Sequence, residues 1–390
     1  MIYLETLFWL GLFIMFYTYI GYPIVLYLLV KIKRSFGKKP NLSEHFYPSV
    51  AFIVAAYNEE DYIEDKIKNT LSLDYPKDKL KVYFVTDGSN DNTPKIIAKY
   101  PEITLLHRDE RKGKMAAIER TMKIVEEDIS VFTDANTTLP DNAIKLLVNP
   151  YQNPNVGAVA GEKRIFQSSE DTASSAGEGF YWKYESTLKK WDSQLHTVVG
   201  AAGELFSIRT TNYEDLPADT LLDDFMMSMK IVEKGQLVKY VPDAYAIETA
   251  SANIEEELKR KVRISAGGIQ SITRLTKVLN PFKYGMATFQ YLSHRVLRWT
   301  LAPLSILFVL VSNLVLALND YSLYPVLLTL QLLFYLTILI GKILKNQSIE
   351  VKGLFVPYYF FIMNWSVYLG FFRFIKGSQS VLWEKAKRKA

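Results

Sequence analysis

The stretch VAFIVAAYNEE at residues 50–60 decides the fold. Its first seven residues form a short apolar run, which is typical of a strand buried on both faces of a parallel sheet. The run ends abruptly at a polar segment, and apolar side chains then recur at helical spacing at Ile63, Ile67 and Leu71. This pattern predicts a strand, a loop and a helix in that order.

The same order repeats along the following residues. We predict further strands at Lys81–Val85, Ile103–Leu106 and Ile129–Phe132, and a helix at Met115–Val125. Alternating strands and helices predict an α/β domain with a mostly parallel, Rossmann-like sheet covered on both faces. Ligands of such sheets bind beyond the carboxyl ends of the strands. Polar clusters follow three of the predicted strands, so we expect a binding site at that edge.

Composition narrows the class of protein. The chain has 390 residues, of which 49% are apolar, a little more than in a purely soluble protein. The excess of apolar residues lies in the first thirty and the last hundred. It contains no cysteine, which excludes disulfides, zinc thiolate sites and cysteine nucleophiles. The net charge is only +5, with acidic and basic residues interleaved, and this argues against nucleic acid as a partner.

The N-terminal segment is a predicted membrane anchor. Residues Leu4–Val30 are long and apolar enough to cross a bilayer, and the basic cluster that begins at Lys31 follows them. A cleaved signal peptide would carry its basic residues before the apolar run, so an uncleaved anchor is favoured. Its C-terminal end then lies in the cytoplasm, which places a multi-pass protein in the inner membrane with a cytoplasmic catalytic domain.

Two further spans are predicted at Leu301–Leu318 and Leu323–Ile340. The segment Phe355–Phe372 also resembles a span, but a full crossing would place the basic tail at residues 373–390 outside, against the positive-inside rule. An interfacial or re-entrant helix is the alternative, and the sequence leaves the number of crossings open.

The residues just before the first of these spans have a different character. Residues 284–299 carry His294, Arg295 and Arg298 beside an apolar face, which predicts a helix lying on the membrane surface. The cytoplasmic mouth of the next span is the alternative interpretation. The predicted organisation is thus an anchor at 1–34, a catalytic domain at 48–280, an interfacial helix at 284–299, membrane segments at 300–372 and a basic tail.

Three polar clusters are candidates for the site. Asp134 and Asn136 follow a strand and could together hold a hard divalent cation through oxygen atoms. Lys114 follows Gly113 in a loop suited to a pyrophosphate, although a solvated basic loop explains the same residues. Asp87 lies in an Asp-Gly-Ser sequence that often serves only as a turn or a helix cap.

Taken together, these segments resemble the successive motifs of family 2 glycosyltransferases. The motifs run from about Pro48 to Leu275 and are AAYNE at 55–59, TDGSNDNT at 86–93, GK at 113–114 and TDANT at 133–137. The resemblance implies the nucleotide-sugar-binding fold called GT-A, flanked here by membrane helices. The most similar members are the cellulose-synthase-like and hyaluronan-synthase-like enzymes.

The resemblance also implies a role for each matching residue. Contacts to the nucleotide and its diphosphate are implied for Ala55, Tyr57, Glu59, Asp87, Lys114, Asp134, Gly203, Arg260 and Arg263. Asp223 and Asp224 resemble the catalytic acids, with Asp224 as the base; their spacing alone would favour an exposed acidic helix start. Asp134 and Asn136 would bind Mg²⁺ or Mn²⁺.

This sequence departs from the family pattern at two positions. Asn136 replaces the usual second aspartate of the metal site, which weakens the expectation of metal dependence. The Gln-x-x-Arg-Trp motif of processive synthases is here RKVRI at 260–264, without the tryptophan, and this puts processive polymerisation in doubt.

The implied function is inverting transfer of a sugar from a nucleotide-diphosphate sugar, uridine by resemblance, to a carbohydrate or lipid-linked acceptor. An enzyme that charges a polyprenyl phosphate and a catalytically silent subunit of a synthase complex remain alternatives. With so few predicted spans, the chain alone is short of membrane for a polymer channel. A homo-oligomer or a synthase partner is therefore a further expectation, beside membrane lipids.

Overall fold

In a computed structural model, the structure describes residues 2–36, 43, 45–166, 173–249, 254–319, 323–346 and 352–377. The domain after the N-terminal helices is built on seven strands. They are β1 Val50–Ala56, β2 Leu80–Asp87, β3 Ile103–Arg108, β4 Ile129–Asp134, β5 Val156–Phe166, β6 Leu205–Arg209 and β7 Leu237–Thr249.

These strands form one mixed, mostly parallel sheet in the order β3-β2-β1-β4-β6-β5-β7. The pairs among β1 to β4 are parallel, whereas β6 runs antiparallel to both β4 and β5. The four strands predicted from the sequence are all present, and the predicted GT-A-type α/β fold is confirmed. Strands β5 to β7 were not predicted: charged residues interrupt the apolar residues of β5 and β7, and β6 has only five residues.

Helices cover both faces of the sheet, because successive apolar side chains of β1 point to opposite faces and both sets are buried. Ala51 and Ile53 pack into one apolar core with α5 (Lys114–Met122) and α8 (Asp223–Glu233), and Val50, Phe52 and Val54 pack into the other with α3 (Ile63–Leu71) and α6 (Ala143–Val148). The helices of this domain are α3 Ile63–Leu71, α4 Thr93–Ile97, α5 Lys114–Met122, α6 Ala143–Val148, α7 Ala173–Leu195, α8 Asp223–Glu233 and α9 Ile254–Arg274, with 3₁₀ turns at Lys77–Lys79, Asn149–Gln152, Thr210–Asn212 and Thr276–Leu279.

The remaining helices form the apolar layer of the molecule. They are α1 Ile2–Phe16 and α2 Tyr22–Phe36, joined by the π-helical turn Tyr17–Gly21; the short α10 Pro281–Tyr284, α11 Met286–Tyr291 and α12 Leu297–Trp299, the last two joined by the π-helical turn Leu292–Val296; and α13 Leu301–Ala317, α14 Leu323–Asn346 and α15 Lys352–Ile375. Exposed leucine, phenylalanine and isoleucine side chains cover much of α1, α13 and α14.

Within the described residues, three helices are long and apolar enough to cross a membrane. They are Ile2–Phe36, Leu323–Leu344 and Gly353–Ile375. The predicted span at 301–318 lies instead in a bent pair, Met286–Trp299 and Leu301–Ala317, whose axes differ by 52° and which would form a fourth span if counted as one. Most of the basic tail, Lys38 and Lys39 lie outside the described residues.

The two layers meet where α9 packs against α15. Gly370 of α15 permits this contact, because a Cβ atom there would lie 2.6 Å from the Cβ of Ser265. Helix α7 also contacts α2 and α15. Helices α7 and α9 therefore connect the sheet to the apolar layer, and both carry charged residues at that junction.

Candidate active site

The carboxyl ends of β1, β2 and β4 bring the predicted motifs to one edge of the sheet. In the parallel register, Ala55 of β1 pairs with Val85 on one side and with Asp134 on the other. Asp87 is the last residue of β2, and Tyr57 follows the last residue of β1. The residues that sequence analysis singled out in these three strands thus share one cleft, as the fold class requires.

A small cavity lies in this cleft. Its lining residues come from β1, β2 and the loop that enters α5: Ala55, Ala56, Tyr57, Val85, Asp87, Arg111, Gly113, Lys114 and Ala117. Four residues predicted to bind the nucleotide are among them. Glu59 is not; it is buried, and its backbone N–H donates a hydrogen bond to Thr93 Oγ1 over 2.9 Å.

The carboxylate of Asp87 fixes the loop opposite it. Its Oδ2 accepts hydrogen bonds from the backbone N–H groups of Lys112 and Gly113, at 2.7 and 2.6 Å. Gly113 has φ +96°, a conformation that glycine adopts without strain. The other oxygen, Oδ1, is buried without a hydrogen bond and lies 3.6 Å from Arg120 Nη1. A buried acceptor of this kind is suited to a donor on a ligand.

Arg111 is a cavity residue that sequence analysis missed. Its guanidinium carbon lies 3.8 Å from the ring centroid of Tyr57, so the two side chains stack. The backbone of Arg111 approaches Gly88, which has φ +72°, so closely that a Cβ on Gly88 would lie 2.9 Å from Arg111 Cα. The glycine of the TDGS motif therefore makes room for this arginine.

Lys114 joins the strand motif to the acidic pair at the start of α8. Its Nζ lies 2.7 Å from Asp134 Oδ1 and 4.0 Å from Asp223 Oδ2. Burial alone would lower the pKa of Lys114, but the carboxylates of Asp134, Asp223 and Asp224 outweigh that effect and raise it. The ammonium therefore stays charged, in a position to stabilise an anion.

Asp224 lies where the donor-side residues meet the loop before β6. A Cβ atom on Gly203 would lie 3.1 Å from Asp224 Oδ2 and 3.5 Å from Lys114 Nζ, so a glycine leaves space beside both groups. Burial and the charge of Asp223 raise the pKa of Asp224 to about 7, against the opposing effect of Lys114. A carboxylate with such a pKa is well matched to general base catalysis near neutral pH.

A buried lysine that sequence analysis missed contacts the loop after β4. Lys66 of α3 donates hydrogen bonds to the carbonyl oxygen and to Oγ1 of Thr137, both at 3.0 Å. Burial lowers the pKa of Lys66 to about 7 despite the nearby charge of Asp134. Its polar contacts order the TDANT segment and hence the position of Asp134.

The chemistry of Asp134 and Asn136 fits a divalent cation only in part. Both offer hard oxygen atoms, but no group of three or more His, Cys, Asp or Glu side chains suited to a metal ion occurs in the part of the chain that the structure describes. Mg²⁺ and its analogues are commonly held by one or two carboxylates together with substrate phosphates. The site therefore suits such an ion when a diphosphate completes the ligand set.

Arg260 lies on the far side of Asp224 and already contacts acidic residues. Its guanidinium lies 3.3 Å from Glu204 and 3.8 Å from both Glu248 and Glu257. Lys163 pairs with the first two of these carboxylates as well. Arg263, the second predicted diphosphate ligand, has a buried Nε without a hydrogen bond and does not line the small cavity.

A larger cavity of about 360 Å³ opens beside Asp224. Its polar wall comes from α7, α8, α9, the residue before β6 and the residues around the bend before α13. It includes Trp182, Glu185, Lys189, Glu204, Asp224, Arg260, Lys261, His294, Arg295 and Arg298. Its opposite wall comes from Tyr19 and from the apolar face of α15, including Val356, Phe360, Met363 and Val367. The cavity thus connects the reactive carboxylate with the apolar layer.

The cations predicted to face the membrane surface instead point into the protein. Glu185 of α7 lies 2.5 Å from Arg295, 3.0 Å from Arg298 and 3.3 Å from His294. His294 also lies 2.6 Å from Asp192, which accepts hydrogen bonds from Tyr22 and Gln290. Although burial would raise the pKa of Glu185, the two arginines and His294 lower it strongly.

Comparison with known proteins agrees with this geometry. The family described as Glycosyl transferase family 2 matches residues 51–216. A poly-β-1,6-N-acetyl-D-glucosamine synthase of Staphylococcus aureus (strain MSSA476) is 28% identical over 275 residues, which cover 67% of this chain and 64% of that enzyme. The enzyme of the same description from Staphylococcus epidermidis is 26% identical over 235 residues, covering 58% of this chain and 56% of the relative. This chain thus spans less than two thirds of the length of these relatives.

Among solved structures, a mannosyltransferase from Pyrobaculum calidifontis in complex with GDP-Man and Mn²⁺ is similar, with a TM-score of 0.72. The alignment covers 96% of this chain and all of that one at 22% identity, so it supports the fold alone. Residues 51–216 of this chain therefore match the family 2 glycosyltransferase domain, and the seven-stranded sheet that contains them has the GT-A fold.

Proposed function

We propose that this protein is a membrane-bound, inverting glycosyltransferase that moves a sugar from a nucleotide-diphosphate sugar to a hydroxyl group of an acceptor. The acceptor belongs to a cell-surface polysaccharide or a lipid-linked precursor of one. The observation that carries the proposal is the position of Asp224, which neighbours Lys114 on the donor side and lines the large cavity on the other. A base at that junction can serve both substrates.

The reaction is one displacement at the anomeric carbon of the donor sugar. Asp224 accepts the proton of the acceptor hydroxyl, whose oxygen forms a bond to the anomeric carbon. The bond between that carbon and the diphosphate breaks, and the nucleoside diphosphate leaves with the electron pair. Attack from the face opposite the leaving group inverts the configuration.

Lys114 has the position to stabilise the leaving diphosphate, since its ammonium is charged and pre-placed at the sheet edge. A divalent cation bound by Asp134, Asn136 and the diphosphate would neutralise phosphate charge. Asp87 Oδ1 and the stacked Tyr57–Arg111 pair are suited to the base of the nucleotide. We propose a uridine nucleotide, from the resemblance of the motifs.

Arg260 is a weaker candidate for the diphosphate than Lys114. It lies within 4 Å of three carboxylates on the acceptor side, and it lines the larger cavity rather than the small one. We propose that Arg260 orders the wall of the acceptor cavity, through Glu204 and the loop that precedes it.

The apolar layer is proposed to lie in the inner membrane, with the catalytic domain in the cytoplasm. The helices that are long and apolar enough to cross a membrane support this, as do the basic residues that end α2. The predicted boundaries, including the domain at 48–280, stay a proposal.

Nucleotide release by the detergent-purified protein and by its native membranes tests the function. A panel of UDP- and GDP-sugars is supplied with and without Mg²⁺ or Mn²⁺, and one donor is expected to give nucleotide and sugar transfer. Asp134→Ala is expected to abolish that release, whereas Asp243→Asn, at an exposed aspartate on β7, is expected to retain it. Silence in membranes with every donor, while nucleotide still binds, would contradict catalysis and favour a silent synthase subunit.

A further inference from the structure

One buried lysine in the wall of the large cavity forms no ion pair with the residues that the structure describes. Lys189 lies on α7, where Trp182, Glu185 and Lys189 follow one another at intervals of three and four residues on the cavity side. Its side chain belongs to a residue only 4% exposed, yet among the described residues its ammonium forms no hydrogen bond and no ion pair within 4 Å. Nothing in the catalytic step uses it.

The other cations of this wall are balanced. Lys163, Arg260 and Lys261 contact three carboxylates, those of Glu204, Glu248 and Glu257. Arg295 and Arg298 share Glu185, and His294 contacts Asp192. Lys189 interacts with Glu162 only at longer range, and burial raises the pKa of that glutamate despite the lysine. Glu162 therefore does not form an ion pair with Lys189, which lines the cavity.

An ammonium that lines a cavity without a hydrogen bond or an ion pair is able to bind an anionic group of a ligand. Such a ligand would form the ion pair that the described residues do not form with this ammonium. The ammonium is a compact charge that commonly binds phosphate. The cavity offers the space for one, and Asp224 lies in the same cavity.

The opposite wall indicates what the anion is attached to. It is formed by apolar side chains of α15 and by Tyr19, from two of the helices that are long and apolar enough to cross a membrane. A ligand that places a charged group at Lys189 and an apolar chain along Val356, Phe360 and Met363 would match both walls. A free sugar would match only the polar wall.

We propose that Lys189 binds the phosphate group of a lipid-linked acceptor, whose sugar hydroxyl then reaches Asp224. The role of this ligand as an acceptor rests on the proposed function. Binding of a phosphate group at Lys189 does not depend on that function. The shared chemistry is a phosphate group, and a lipid or a soluble phosphate could supply it.

Titration of the detergent-purified full-length chain distinguishes these sources. Farnesyl phosphate, farnesol and inorganic phosphate are the probes, and the fluorescence of the cavity tryptophans Trp182 and Trp299 reports binding. Farnesyl phosphate is expected to bind about 10- to 100-fold more tightly than farnesol, the range for one charged hydrogen bond. Lys189→Met is expected to remove that difference and Lys189→Arg to keep most of it. Lys190→Met, at the exposed neighbouring lysine, is the matched control and is expected to change nothing.

Thermal unfolding without ligand gives an independent readout. Because Lys189 forms no hydrogen bond or ion pair with the described residues, Lys189→Met is expected not to lower Tm, and farnesyl phosphate is expected to raise the Tm of the unmodified protein but not that of the variant. A lower Tm for Lys189→Met would assign the lysine a structural role and overturn the proposal, as would equal binding of farnesyl phosphate and farnesol. Inorganic phosphate binding as tightly as farnesyl phosphate would overturn the lipid source. Absence of nucleotide release from any donor would contradict the proposed function while leaving these titrations interpretable.

Discussion

The donor cleft and the acceptor cavity lie on either side of Asp224 but are built in different ways. The donor cleft takes its residues from the ends of neighbouring parallel strands, within the segment from Ala55 to Asp134. The acceptor cavity takes its residues from helices far apart in sequence, and its wall joins Tyr19 to Val367. One site follows from the topology of a sheet, and the other from the packing of helices.

This difference predicts separable effects of mutation. Changes in the donor cleft should alter the affinity for nucleotide-sugar and leave the acceptor affinity unchanged, while changes in the acceptor cavity should do the reverse. Changes at Asp224, which both sites share, should alter the rate of transfer with little effect on either affinity. Each substitution below tests one part of that expectation.

The largest effect is expected for Asp224→Asn. Loss of a general base typically lowers kcat by about 10²- to 10⁴-fold, and the amide is nearly isosteric, so nucleotide binding should change less than about twofold. Steady-state transfer and nucleotide titration measure the two quantities. A variant that keeps most of its activity would show that the attacking group needs no base, as expected if the acceptor is a polyprenyl phosphate that itself attacks.

Glu185→Gln tests the charged wall of the acceptor cavity. The carboxylate is 2% exposed and its loss leaves Arg295 and Arg298 buried without their shared partner, which typically costs about 3–5 kcal/mol. We expect Tm to fall by roughly 6–20 °C. The control is Glu64→Gln, in an exposed pair with Lys68, which should change stability by less than about 0.5 kcal/mol. Equal Tm values for the two variants would show that the wall does not depend on this cluster.

Lys114→Met tests the donor side. Removing the charged hydrogen-bond donor beside Asp134 should raise the KM for nucleotide-sugar by about 10- to 100-fold, while the KM for the acceptor stays constant. Lys112→Met, at an exposed lysine of the same loop, is the control and should leave both constants unchanged. A parallel rise in the acceptor KM would break the separation of the two sites.

The pH dependence tests the assignment of the base. Burial and Asp223 raise the pKa of Asp224 to about 7, so the carboxylate is deprotonated and active above that pH. Below it, kcat/KM should fall about tenfold per pH unit as the base is protonated. In Asp223→Asn one cause of the raised pKa is absent, so the acidic limb should move to lower pH. A limb that stays in place in that variant would assign it to another group.

The sequence predicted the donor cleft better than the acceptor cavity. The strands β1 to β4 and the motifs at their ends were predicted correctly, because one buried apolar run and the polar residue that ends it are adjacent in the chain. Arg111 and Lys66 were missed, since neither stacking on Tyr57 nor a hydrogen bond to Thr137 leaves a local pattern. The partners of Glu185 are more than one hundred residues away, and no spacing rule connects them.

The membrane segments show a second reason for incomplete prediction. Hydropathy located the apolar runs, but a composition cannot show the 52° bend after Trp299 or that the neighbouring cations face Glu185. Whether Arg295 lies on a membrane surface or in an ion pair depends on a carboxylate supplied by α7. Charge alone is compatible with both.

The smallest effect is expected at Gly88, at the edge of the donor cleft, and Gly235, between α8 and β7, is its matched control. Both Gly88 and Gly235 have positive φ, +72° and +83°, but a Cβ on Gly88 would lie 2.5 Å from Arg111 Cβ whereas one on Gly235 would meet nothing within 4 Å. Gly235→Ala should therefore cost only the backbone strain, about 1 kcal/mol, while Gly88→Ala adds a displacement of Arg111 and totals about 1–3 kcal/mol. Only Gly88→Ala should also weaken nucleotide binding, because Arg111 stacks on Tyr57 in the cavity. Equal nucleotide affinities in the two variants would show that the stacked pair does not contact the base, and the donor cleft would then end at Asp87 and Lys114.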